Sequence, residues 1–92
     1  MDLQRIEDTK NTLMSIATEL YQNKVSEGKK HVADVLEDLG IIATWLTEEQ
    51  QIDYIQTILR PIMDAMETEE GVYLADLINY ELIPFIERIL ED

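Results

Sequence analysis

The sequence predicts an all-α protein, a compact antiparallel four-helix bundle built from two helical hairpins. Apolar residues recur three, four and seven positions apart along the whole chain, a spacing that keeps them on one stripe of a helix and that no strand could hold on one face. Three hydroxyl residues, Ser26, Thr47 and Thr68, stand where one periodic run stops and the next begins, as helix caps do. The 92 residues form one domain, too short for two cores, and apolar residues make up 46% of them, enough to fold without metal or disulfide. Residues 1–92 are therefore read as a single unit, with hairpin one over about 3–46 and hairpin two over about 48–91.

Helix one is expected over about 3–24, beginning near an Asp2 cap and carrying Ile6, Leu13, Ile16, Ala17 and Leu20 on its stripe. Helix two, capped by Ser26, places Val32, Val35, Leu36, Leu39, Ile42, Ala43 and Leu46 inward. Thr47-Glu48-Glu49-Gln50 has the form of a capping box, in which the threonine oxygen accepts from the Gln50 amide and the Gln50 side chain accepts from the threonine amide. Helix three follows with Ile52, Ile55, Ile58, Leu59, Ile62 and Met66. Thr68, with Glu69 and Glu70 in the first turn, opens helix four, which carries Leu74, Leu77, Ile78, Leu82, Phe85, Ile86 and Ile89.

A shift of 42 positions lays Val32-Ala33-Asp34-Val35-Leu36 on Leu74-Ala75-Asp76-Leu77-Ile78, and carries Leu13 to Ile55, Ile16 to Ile58, Leu20 to Ile62 and Ser26 to Thr68. Duplication of a hairpin accounts for this, and so does the period shared by any two amphipathic helices. Pro61 and Pro84 fall inside helices three and four, where each lacks an amide donor and crowds the carbonyl four residues earlier, at about 3 kcal/mol in an ordinary helix. A kink or break is expected at both. Gly40, inside helix two, suggests a close helix approach or a local bend.

The charge is unevenly distributed. Residues 1–30 balance five basic side chains against five acids, whereas residues 31–92 hold only Arg60 and Arg88 against fifteen, so the net charge of -13 resides in the last two-thirds. Such a surface repels nucleic acid and anionic lipid. No run approaches the roughly 18 to 20 apolar residues of a membrane span, and the chain start lacks a secretory pattern, so a cytoplasmic protein is expected. With no cysteine, one histidine (His31) and no glycine-rich phosphate loop, the chain offers no thiolate, triad, nucleotide or di-iron motif. A non-enzyme without cofactor or metal is expected.

Apolar residues left over from the core stripes carry the functional expectation. On helix four, Tyr73, Leu77, Tyr80 and Pro84 form a second stripe; on helix two, Ile41 and Trp45 lie on the side of Asp34 and Asp38. Aromatic residues ringed by acids have the composition of a recognition surface. The expected function is a non-catalytic interaction module, an adaptor or small chaperone, that binds an amphipathic basic segment of another protein through these six residues. In physique the chain resembles the dedicated chaperones of bacterial flagellar and secretion systems, a resemblance that no motif carries. A self-associating homodimer closed by helix four is the alternative. A further one is a carrier of a small apolar ligand in a cavity lined by Met14, Met63, Met66 and Phe85.

Overall fold

A computed structural model describes residues 3–91, so the expected Asp2 cap and the terminal Asp92 lie outside the described residues. Four helices account for nearly all of them. Helix α1 is Leu3–Tyr21 and α2 is Val25–Thr44. Helix α3, residues 48–66, is continuous through Glu48–Asp53, a π turn at Tyr54–Leu59 and Arg60–Met66. Helix α4, residues 71–91, has the same construction, with Gly71–Leu77, a π turn at Ile78–Leu82 and Ile83–Glu91. Connections of three or four residues make sequential helices antiparallel.

Each turn closes by its own chemistry. After α1, Asn23 takes a left-handed conformation (φ 67°), the Lys24 amide donates to Glu19 and the Asn23 amide to Leu20, the pair of bonds that ends a helix in a Schellman motif. Asparagine tolerates that backbone better than most residues. Ser26 caps nothing: α2 starts at Val25 behind Lys24, without a side-chain cap. Thr47 and Gln50 form the reciprocal capping box, with bonds of 3.2 and 3.0 Å. Thr68 lies three residues before the start of α4 and works inside the turn, donating to the Ala65 carbonyl and accepting from the Glu70 amide.

Neither proline breaks its helix. Pro61 and Pro84 each follow a π turn directly, and the residue just before each proline donates five residues back, Arg60 to Ile55 and Ile83 to Ile78. The wider turn moves backbone away from the ring that would crowd it in an α-helix. The same turn shifts the helical phase. On α3 the buried residues are Tyr54, Ile58, Ile62 and Ala65, while Ile52 and Ile55, expected in the core, are 53% and 50% exposed. On α4, Leu74, Ala75, Ile78, Leu82, Ile83 and Ile86 are buried, and Phe85 and Ile89 pack from the edge. The 42-residue shift therefore matches buried Ile16 with buried Ile58 but sets buried Leu13 on exposed Ile55 and buried Leu39 on exposed Glu81. It also lays buried Leu20 on buried Ile62 and buried Val32 on buried Leu74, so the two hairpins agree in packing at part of the matched positions.

Helices α1 and α4 pack along their length, and α1 also lies against α2. Close approach depends on two glycines. A Cβ on Gly28 would stand 2.5 Å from Leu20 Cδ2, and one on Gly71 would stand 2.7 Å from Val25 Cγ2. Gly40 makes no such approach: its surroundings are open to 4 Å and it is exposed. The wider seam between α2 and α3 is bridged by side chains, with Tyr54 donating to the Leu39 carbonyl and Gln51 to the Ala43 carbonyl.

Candidate interaction surfaces

The six residues expected to bind a partner separate into two groups, one on the last turns of α2 and one along α4 from its first turn to past its middle. Ile41 and Trp45 belong to the last turns of α2, beside the start of α1, because Arg5 of α1 pairs with Asp38 at 2.7 Å on that same side. Both are half-buried, and Trp45 packs against the core. This side of α2 is part surface and part packing: Arg5 of α1 reaches over it to Asp38, and Ile41 and Trp45 each keep some exposure. Tyr73, at the other end, lies in the first turn of α4 beside the end of α1.

The α4 stripe is exposed in part. Tyr73 is 49% and Tyr80 67% exposed, whereas Leu77 and Pro84 are half-buried and Leu77 packs against the core. Between the two tyrosines, three residues after the first and four before the second, lies Asp76. The Tyr21 hydroxyl crosses from α1 and donates to Asp76 Oδ1 at 2.5 Å. This bond, with partial burial and the nearby negative charge, pushes the Tyr21 phenol from 10.0 up to about 12. The result is a face of three tyrosines around one oriented carboxylate. At its upper end, Leu20, Tyr21, Glu69, Gly71, Val72 and Tyr73 border an open cleft of about 420 Å³.

A second surface was not anticipated from the sequence. Ile52, Ile55, Leu59 and Met63 run along α3 at spacings of three, four and four; Leu59 is half-buried and the others are 45% to 53% exposed. Sequence reasoning put three of these four in the core. The competing stripe Tyr54-Ile58-Ile62-Ala65, spaced four, four and three, was the available signal, and the proline after position 60 was the reason to prefer it.

Other chemistry is sparse. His31 Nδ1 lies 2.7 Å from Glu19 Oε1 of α1, not with the acids of its own helix. Among the described residues no group of three His, Cys, Asp or Glu side chains could hold a metal ion, and no helix is long and apolar enough to cross a membrane. Met14, Met63, Met66 and Phe85 do not share an interior: Met14 and Met63 are exposed, on α1 and α3, and Met66 and Phe85 pack at the core's edge. That arrangement removes the expected apolar ligand pocket.

No curated protein and no solved structure gives a match to this chain. A family model, described as a domain of unknown function (DUF8042), matches residues 3–92, nearly the whole chain. The all-α bundle described above, with its π turns ahead of both internal prolines, is thus that of a member of the DUF8042 family.

Proposed function

We propose that this chain is a non-catalytic interaction module of the cytoplasm, an adaptor or small chaperone, that holds a basic amphipathic segment of another protein along the outer face of α4. The observation that carries the reading is the arrangement of Tyr73, Asp76 and Tyr80 with Tyr21. Exposed tyrosine offers apolar area with a hydrogen-bonding tip at low entropic cost, as recognition surfaces do. Asp76, already oriented by Tyr21, offers a carboxylate to a lysine or arginine without having to be ordered on binding. The net charge of -13 favours encounter with a cationic partner and rejects acidic ones.

The test is a photo-crosslinking residue at position 80, with one at the exposed Glu37 of α2 as control. A partner captured from position 80 alone, whose complex with the purified chain weakens as salt rises, supports the reading. Equal capture from both positions, or a complex indifferent to salt, sinks it.

A further inference from the structure

We propose that α3 is a self-recognition helix, through which two copies of the chain pair antiparallel about a two-fold axis near residue 57. The proposal concerns a different helix from the tyrosine face, so either can fail without the other. Its first support is the exposed stripe itself. Ile52, Ile55 and Met63 leave about half of their surface in water beside half-buried Leu59, while Tyr54, Ile58 and Ile62 of the same helix fill the core. Three large apolar side chains in one line on so acidic a molecule form a patch, not scattered exposure.

The second support is that the stripe is complementary to itself. An antiparallel pairing about residue 57 sets Ile55 on Leu59 of the second copy and brings Ile52 within one residue of its Met63, and the two-fold repeats both contacts. A stripe with its apolar residues grouped toward one end would not match in this way.

The third support is charge. Arg60 is the one basic residue of α3, is exposed, and forms no ion pair among the described residues. The same axis brings it over residues 54 and 55 of the second copy, within a turn of Asp53 there, and brings the second Arg60 to the first Asp53. A basic partner segment would instead meet Arg60 as a like charge, which argues for a second copy on this helix.

The contact is small. Four side chains along eleven residues cover about 17 Å of helix, less than the roughly 800 Å² per partner of a stable interface. The dimer should therefore be concentration-dependent, with a dissociation constant of about 10 µM to 1 mM. Because both copies are strongly acidic, salt should strengthen it, the reverse of what a basic partner would show.

Sedimentation equilibrium of the full chain at low and at about 0.5 M salt tests this, with circular dichroism melts to check folding. Ile55→Glu should weaken the dimer at least about tenfold while leaving the melt intact, since the position is half exposed. Arg60→Glu should weaken it too, and adding Asp53→Arg to that variant should restore it. Tyr80→Glu, on the other face, should leave it unchanged. A monomer at every concentration and salt overturns the proposal. So does a dimer that survives Ile55→Glu, one lost with Tyr80→Glu, or one that the charge swap fails to restore.

Discussion

Tyr54 joins α2 to α3, whose backbones make few close approaches. Its hydroxyl donates to the Leu39 carbonyl of α2 at 3.1 Å, across the α2–α3 seam, and its fully buried ring stacks on Phe85 of α4 at a centroid distance of 5.0 Å and 18° between planes. One residue thus ties three helices, and Arg88 closes the other side of the stack over the Phe85 ring at 5.8 Å. Tyr54→Ala should cost about 3 to 5 kcal/mol, enough to unfold a domain of ordinary stability, and a urea melt will measure it.

The same residue gives the domain an alkaline liability. Burial pushes the Tyr54 phenol well above its ordinary 10.0, so the folded protein keeps it neutral while the unfolded chain ionises it near pH 10. A group whose folded pKa is raised contributes fully below the unfolded pKa and loses its contribution as pH rises above it. Tyr54→Phe should cost about 1 kcal/mol at pH 8. Each pH unit above 10 then costs the wild type about 1.4 kcal/mol that the variant does not lose, so the two stabilities should meet near pH 11. Melts of both proteins from pH 8 to 11 will show convergence, and parallel curves would contradict the burial argument.

Tyr21 should be visible in the ultraviolet. The difference between the phenolate titrations of wild type and Tyr21→Phe isolates one tyrosine, which should ionise near 12. Asp76→Asn removes the carboxylate that accepts its proton and should bring that step down toward 10. By the same sign argument, this bond's contribution to folding is intact below pH 10 and fades between 10 and 12.

Two glycines of α2 should respond in opposite directions. Gly28→Ala puts a methyl 2.5 Å from Leu20 Cδ2 and should cost about 1 to 3 kcal/mol as α1 and α2 are forced apart. Gly40→Ala meets nothing within 4 Å in a helical, exposed position and should stabilise by about 0.5 to 1 kcal/mol. Thermal melts of the pair decide whether close approach lies at the start of α2 or at its end.

Trp45 reports on the other end of that helix. Half-buried against the core, it should emit between the extremes of buried and solvated indole, and acrylamide should quench it in part. Leu77 belongs to the same intermediate class. Leu77→Lys should therefore destabilise measurably, though less than Ile78→Lys, whose side chain is fully buried.

Helix number, order and the Thr47 box were legible in the sequence because they depend on local spacing and local hydrogen bonds. Every expected core residue of α1 is buried, as are Val32, Val35, Leu39 and Ile42 of α2, where the 3.6-residue period is uninterrupted. The reading failed on α3 after Thr47, where a constant 100° per residue was carried through a π turn and put Ile52 and Ile55 inside in place of Tyr54. Ser26 failed for another reason: the Schellman turn at Asn23 starts α2 two residues earlier, with Lys24 at the cap position. The α4 face was legible at Tyr73 and Tyr80. The part played by Tyr21 was not, since only the tertiary fold brings residues 55 positions apart together.

The π turns make chain length at two points a hidden variable of the fold. Such a turn is in effect one residue more than an α-helix needs, held in place without lengthening the ladder on either side. Deleting a single residue within 78–82 would let α4 close into ordinary helix, and nothing in composition or hydropathy would register the loss. Everything beyond it would keep its face, because the residue removed is the one the wider turn absorbs, but the Pro84 ring would return to the carbonyl four residues before it, at about 3 kcal/mol. Within this family, a gap of one residue ahead of either proline should therefore disrupt the bundle more than most substitutions do, while a gap of the same size in the turn between α3 and α4 should be tolerated.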